Sequence, residues 1–151
     1  MSTSLELDLF YLSYARLIST HSEDPSTKVG CVIARPGKRI QPLLADGFNR
    51  FPVNMQQTAE RMEKRSEKYD RVIHAEMTAI LSARASLVGA TLYCWPIPTC
   101  HRCAAHIIEA GIKRVVFPNG SKESDWSSRN RESLDKALSY YHECGVQVDF
   151  V

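Results

Sequence analysis

The sequence has no long apolar run, and its first residues contain no export signal. No stretch approaches the roughly 20 consecutive apolar residues of a membrane-spanning helix. The opening segment MSTSLELDLF lacks the basic stretch and apolar core that mark a secretory signal. We therefore predict a cytoplasmic protein with no membrane segment.

The net charge of the chain is also small. The formal net charge is +2 at pH 7, and the basic residues are scattered along the chain. Proteins that bind long nucleic acids usually concentrate Lys and Arg on one surface, because these residues neutralise phosphates. No long nucleic-acid partner is expected, which makes a tRNA adenosine an improbable substrate. A single small anion remains compatible with this charge.

Low-complexity segments and internal repeats are missing too, which indicates one compact unit. The 151 residues with 44% hydrophobic content predict a single domain over 1–151. Five cysteines is an odd number, and a chain of this size does not need disulfides for stability. Metal binding or chemistry is then the more probable use of some of these thiols.

Helical and strand patterns alternate along the chain with short connections. Strands are predicted at KVGCVIAR, IQPLLADGF, ATLYCW, IKRVVFP and VQVDFV. About five helices are predicted: LDLFYLSYARLIST, a short charged helix within 54–71, VIHAEMTAILSA, CHRCAAHIIEAG and SSRNRESLDKALSYYHECG. The β-α-β-α-β order from residue 91 requires parallel strands with right-handed crossovers. These elements predict an α/β fold, a three-layer α-β-α sandwich around a five-stranded mixed sheet.

The predicted helix over 72–83 combines an apolar face with a polar start. Its apolar face is predicted to contain four residues at helical spacing: Ile73, Met77, Ile80 and Leu81. His74 and Glu76 nevertheless occupy its first turn, where backbone N–H groups lack helical partners. An imidazole and a carboxylate at that end indicate a functional site.

A second helix start carries two cysteines. Cys100 and Cys103 are three residues apart, so their sulfurs share one face of the first helical turn. Cys-x-x-Cys with a distant histidine is a known zinc-ligand spacing, and His74 supplies the third ligand. Three protein ligands leave the fourth tetrahedral position open, as in catalytic zinc sites. Glu76 stands where a carboxylate would accept a proton from an activated water.

Other interpretations of these residues exist when each is taken alone. Cys100 and Cys103 are also compatible with a redox dithiol, a structural zinc site or helix packing. A single His-x-Glu is more often a solvated helix terminus than a site. The combination of His-x-Glu at one helix start and Cys-x-x-Cys at the next matches the zinc deaminase signature.

At these motifs the chain resembles the cytidine and deoxycytidylate deaminase family, over about residues 9–150. Its nearest branch is similar to the deoxycytidylate (dCMP) deaminases. The segments DPSTKVGCVI at 24–33, GFNRFP at 47–52 and AGIKRVVFP at 110–118 resemble stretches of that branch. The resemblance implies a cytidine deaminase-like fold and zinc-dependent hydrolysis of dCMP to dUMP with release of ammonia.

Residue roles follow from the same resemblance. It makes His74, Cys100 and Cys103 the ligands of one zinc ion per chain, and Glu76 the catalytic proton shuttle. Ala75 is expected to donate its backbone N–H to the base carbonyl. Asn49 is expected to contact the sugar, although an ordinary turn residue is the alternative.

Two residues before the first strand are candidates for the substrate phosphate. Ser26 and Lys28 offer a hydroxyl and a cation in one loop. The alternative is a solvated loop with a surface lysine. Trp95 and Ile97 are candidates for the wall of the base pocket, with core packing as the alternative for Trp95.

The chain departs from the family pattern at three places, one of which is Thr78, where many relatives have Asn. Thr99 separates Pro98 from Cys100, where the family usually has proline directly before the first cysteine, so the loop is expected to be longer or shifted. Arg50 replaces the second glycine of the family's GYNG turn. The resemblance implies a homo-oligomer, a hexamer in many relatives, with dCTP and dTTP as possible allosteric effectors near that turn.

The remaining alternatives concern substrate and activity. A deaminase of cytidine, CMP or a purine base would use the same zinc chemistry. An inactive nucleotide-binding module of this fold would have no use for Glu76. Cys31, Cys94 and Cys144 are predicted to be small buried residues. His106 is predicted not to be a ligand, because a fourth protein ligand would close the site.

Overall fold

A computed structural model describes residues 4–151 and contains a five-stranded sheet. The strands are β1 (Gly30–Ala34), β2 (Leu43–Phe48), β3 (Thr91–Trp95), β4 (Arg114–Phe117) and β5 (Gln147–Phe150). Their spatial order is β2-β1-β3-β4-β5. Strand β1 is antiparallel to both neighbours, whereas β3, β4 and β5 run parallel. The predicted five strands and the parallel second half are therefore confirmed.

The helices are more numerous than expected, and several of them are shorter than predicted. They are α1 (Ser4–Ser19), α2 (Ala59–Glu63), α3 (Arg65–Arg71), α4 (Ala75–Ser82), α5 (His101–Glu109), α6 (Asp125–Arg129) and α7 (Arg131–Glu143), with a 3₁₀ turn at Ser121–Glu123. The prediction of one helix over 127–145 is wrong. Asn130 leaves the helical conformation and divides this segment into α6 and α7.

Alternating side chains give the sheet two buried faces, as strand geometry requires. Val32, Tyr93 and Val116 pack against α1 on one face. Their sequence neighbours Cys31, Leu92 and Val115 face the larger core, to which α4, α5 and α7 contribute. Helices thus cover both faces, and the predicted three-layer sandwich is confirmed.

Helix α4 lies against β2 through its small residues, not through the predicted apolar stripe. A methyl group on Gly47 would lie 2.6 Å from the carbonyl oxygen of Ala75 and closer still to the nitrogen of Ala79. Ala75 and Ala79, the residues of α4 at this contact, are both fully buried. Leu81 is 71% exposed, so its assignment to a buried face is wrong.

Three further predictions concern the remaining cysteines and the absence of a membrane-spanning helix. Cys31 and Cys94 are buried as predicted, opposite each other on β1 and β3. Cys144 is exposed at the end of α7, so its prediction as a buried residue is wrong. Within residues 4–151, no helix is both long enough and apolar enough to cross a bilayer.

Candidate metal centre and its cavity

Two helix starts meet on the larger-core side of the sheet. His74 occupies the N-cap position of α4, and Cys100 occupies the N-cap position of α5. The sequence places both residues there, because β1 and β3 are adjacent and α4 and α5 pack together. Nδ1 of His74 lies 3.6 Å from Cys100 Sγ and 3.3 Å from Cys103 Sγ.

These three side chains fit a zinc ion. Their ligand atoms all lie within 4.8 Å of one another. In a tetrahedral site with bonds of about 2.3 Å to sulfur and about 2.0 Å to nitrogen, ligand atoms are roughly 3.5–3.8 Å apart. Among residues 4–151, His74, Cys100 and Cys103 form the single His/Cys/Asp/Glu group that could hold a metal. The ligand set and the geometry both agree with one zinc per chain.

The pKa values of these three side chains are shifted in different directions. The side-chain contact with Cys103 lowers the pKa of Cys100. The same contact raises the pKa of Cys103. The hydrogen bond with Cys100 raises the pKa of His74 to about 9. A divalent cation favours the thiolates and the neutral imidazole, so it would take the place of the protons on these side chains.

The backbone adds to the stability of the Cys100 thiolate. Cys100 Sγ accepts a hydrogen bond from the backbone N–H of Cys103 at 3.4 Å. This N–H belongs to the first turn of α5, where backbone donors lack helical acceptors. A negatively charged ligand at a helix N-terminus is favoured by the helix dipole.

Glu76 is a buried carboxyl beside these ligands. It lies in the first turn of α4 and is 4% exposed. Burial raises the pKa of Glu76, while the positive charge of His74 opposes that shift. Within residues 4–151, Glu76 forms no ion pair, and buried carboxyls of this kind concentrate at functional sites.

A cavity of about 610 Å³ opens over this centre. Its size is in the range of small-molecule sites. Of the eight predicted metal-ligand, catalytic and substrate-binding residues, six line it: Ser26, Asn49, His74, Ala75, Glu76 and Cys100. Cys103 is buried behind the lining. Lys28 is exposed and is not part of the lining.

The two candidates for the pocket wall lie in different parts of the structure. Ile97 lines the cavity. Trp95 packs against the smaller core on the α1 side, with the Arg16 guanidinium 5.3 Å from its ring centroid. Core packing is therefore the role that the structure gives to Trp95.

Asn49 is held in place by the surrounding loops. Its Oδ1 accepts from the Val29 N–H at 2.9 Å, and its Nδ2 donates to the Thr27 carbonyl at 2.9 Å and to Asp24 at 3.4 Å. Both amide hydrogens are used within the chain. The remaining capacity of Asn49 toward a ligand is the second lone pair of Oδ1.

A buried ion pair that was not predicted from the sequence lies in the cavity wall. Lys68 Nζ lies 3.2 Å from Asp24 Oδ1, and each side chain is 7% exposed. Lys68 also donates to Ser26 Oγ at 3.2 Å. No local pattern identifies Lys68, because it lies on a short charged helix 42 residues from Ser26.

Two more cations line the cavity at exposed positions. Arg65 donates to the Tyr69 hydroxyl at 3.0 Å and lies over its ring. Within residues 4–151, the guanidinium of Arg129 makes no hydrogen bond and no ion pair. Glu63 is the exposed acidic residue in the same lining.

The turn after β2 is joined directly to the segment before His74. Arg50 N–H donates to the Ile73 carbonyl at 3.1 Å, and Ile73 N–H donates to the Arg50 carbonyl at 2.8 Å. The Arg50 guanidinium donates to the neighbouring Phe51 carbonyl. His106, in contrast, is exposed on α5 and contacts the carbonyl of Arg102, away from the metal ligands.

Comparison with known proteins identifies relatives for most of the chain. The model of the "Cytidine and deoxycytidylate deaminase zinc-binding region" matches residues 5–119. A relative from Aliivibrio fischeri, named an uncharacterized deaminase in the luxG 3′ region, is 33% identical over 141 residues, or 93% of this chain and 90% of that protein. A probable deoxycytidylate deaminase from Caenorhabditis elegans is 32% identical over 137 residues, or 88% of this chain and 67% of that protein.

A solved structure has the same fold. The dCMP deaminase from the cyanophage S-TIM5, in its apo form, superposes with a TM-score of 0.71 at 25% sequence identity. The match covers 99% of this chain and 100% of the phage chain. It confirms the predicted cytidine deaminase-like fold, and the family match spans all three candidate zinc ligands.

Proposed function

Because this chain belongs to the cytidine and deoxycytidylate deaminase family, we propose that it converts dCMP and water to dUMP and ammonia. The observation that carries the proposal is the position of Glu76, a buried carboxyl in a cavity beside three convergent zinc ligands. Zinc held by these ligands would activate water for attack on the ring carbon that bears the amine.

Glu76 is the proton carrier in this proposal. It takes a proton from the attacking water and delivers protons to the ring nitrogen and the leaving amine, so the exocyclic nitrogen departs as ammonia. Its burial keeps bulk water away from the carboxyl, which limits competing proton exchange. A structural zinc site would have no use for such a group.

Ala75 and Asn49 are proposed to orient the nucleoside. The backbone N–H of Ala75 is in the first turn of α4, where helix donors are available to a ligand such as the base carbonyl. Asn49 has used both amide hydrogens, so a sugar hydroxyl would donate to Oδ1. These contacts fix which way the sugar faces.

We propose that Arg129 receives the 5′-phosphate, together with Ser26. Arg129 lines the cavity and has no partner within residues 4–151, and a guanidinium binds phosphate in a bidentate manner. Lys68 is already occupied by Asp24 and Ser26, and Arg65 by Tyr69. The prediction for Lys28 stays open as the competing assignment.

The test is a substrate panel that follows ammonia release by the zinc-loaded protein. The panel contains dCMP, CMP, dCTP, deoxycytidine, cytidine, cytosine, guanine and adenine. We expect dCMP to have the highest kcat/KM. Faster turnover of a free base or of CMP would assign another substrate, and binding of dCMP without turnover of any compound would indicate a nucleotide-binding module.

We also propose a homo-oligomer that responds to dCTP and dTTP in the cytoplasm. Arg50 supports an effector role, since its backbone is bonded to Ile73, the residue before His74. A ligand that moves Arg50 would therefore displace a metal ligand. Light scattering with and without each triphosphate, alongside dCMP turnover, tests both statements: the mass of a single chain would refute the oligomer, and an unchanged rate would refute the regulation.

A further inference from the structure

Two side chains of helix α7 make hydrogen bonds to the turn that carries Cys100, one on each side of this cysteine. On one side of Cys100, Thr99 Oγ1 lies 2.6 Å from the Tyr141 hydroxyl. On the other side, Ser133 Oγ accepts from the backbone N–H of His101 at 3.2 Å and lies 2.8 Å from His101 Nδ1. Ser133 and Tyr141 are two helical turns apart, so they lie on the same face of α7.

The contact between Thr99 and Tyr141 is buried. Thr99 is 1% exposed and Tyr141 is fully buried. Within residues 4–151, each hydroxyl has the other as its side-chain partner. Loss of either hydroxyl would leave the other as a buried polar group without its side-chain partner. The contact therefore restricts the position of the turn relative to α7.

That restraint acts on the geometry of the metal ligands. Cys100 Sγ is aligned toward His74 and Cys103 by the conformation of residues 99–101. His74 belongs to a different helix, so the distance between the two ligands depends on how firmly this turn is placed. Packing of α5 against α7 positions the helix, and the two side-chain contacts position its first residues.

We propose that Thr99 and Tyr141 are positioning residues for the metal centre. Their shared hydrogen bond keeps Cys100 at ligand distance from His74 and so raises the affinity for zinc. Nothing in this proposal depends on which nucleotide is the substrate. A chain that proves inactive on dCMP can still bind zinc through this arrangement.

The test compares single, double and conservative variants. Thr99→Val and Tyr141→Phe each remove one hydroxyl with little change of shape, and Thr99→Ser keeps the hydroxyl. Tyr93→Phe is the matched control, because the Tyr93 hydroxyl also makes a buried hydrogen bond, to Asp8, but on the opposite side of the sheet. Folding of each variant is verified by circular dichroism.

Zinc affinity is measured by competition with a chelator, and ligand geometry by the visible spectrum of the cobalt-substituted protein. We expect Thr99→Val and Tyr141→Phe each to weaken zinc binding on the order of tenfold and to shift the cobalt bands. Thr99→Ser and Tyr93→Phe should stay within about twofold of the wild type. The double variant should resemble either single variant, since both remove the same interaction.

Three outcomes overturn the proposal. The first is wild-type zinc affinity in Thr99→Val or Tyr141→Phe. The second is an equal loss in Tyr93→Phe, which would show a general stability effect. The third is additive losses in the double variant, which would show two independent roles. If Tyr141→Phe does not fold, the pair Thr99→Val and Thr99→Ser still decides the question.

Discussion

Replacing Arg129 by glutamine tests how the cavity selects a phosphorylated substrate. Arg129 is exposed and lines the cavity, and its guanidinium has no hydrogen bond or ion pair within residues 4–151. Its removal should therefore change the free energy of unfolding by no more than about 0.5 kcal/mol. Any loss of activity then reports on the substrate.

The expected size of the effect follows from the contact that is lost. A hydrogen bond between charged groups is worth roughly 1.5–3 kcal/mol, which corresponds to about 10- to 150-fold in kcat/KM. That loss applies to dCMP only. Deoxycytidine has no phosphate, so its kcat/KM should change by less than about twofold.

The assay measures ammonia release from dCMP and from deoxycytidine by Arg129→Gln, Lys28→Gln and the wild type. Lys28 is the control, because it is an exposed cation outside the cavity lining. We expect Arg129→Gln to lower the ratio of dCMP to deoxycytidine turnover and Lys28→Gln to leave it unchanged. The reverse result would refute the assignment and restore Lys28 as the phosphate contact.

Two further changes probe the metal centre and its support. Cys103→Ala should reduce bound zinc well below one per chain in elemental analysis, because two ligands remain; full zinc retention would contradict the ligand set. Gly47→Ala should destabilise the protein by about 1–3 kcal/mol in urea unfolding, since the added methyl collides with the backbone of α4, whereas Gly37→Ala meets mainly a flexible glutamine side chain. Equal unfolding midpoints for the two glycine variants would argue against this contact.

The metal ligands were predictable from sequence because each follows a local rule. Cys100 and Cys103 share a helical turn, and His74 precedes a second helix on the same side of the sheet. Short spacing and the order of elements are both visible in the sequence. The fold was predictable for the same reason, since alternating strands and helices allow few arrangements of a parallel sheet.

The cavity wall was less predictable because it depends on long-range packing. Arg129 ends α6 only because Asn130 interrupts a segment whose pattern suggests one continuous helix. Lys68 reaches the site through its ion pair with Asp24, far away in sequence. Leu81 fits the helical pattern but is exposed, because Gly47 allows the small residues of α4 to pack closely against β2. None of these relations has a signature in a short window.

The most direct test of the account measures ammonia and dUMP formed from dCMP by the wild type and by Glu76→Gln at equal zinc content. Glutamine preserves the size of the side chain but has no carboxyl group to accept and deliver a proton, and general acid–base catalysis contributes about 10²–10⁴-fold. We predict one ammonia per dUMP for the wild type and a loss of at least about 100-fold for the variant. No ammonia from the zinc-loaded wild type, or near-normal turnover by Glu76→Gln, would contradict the account.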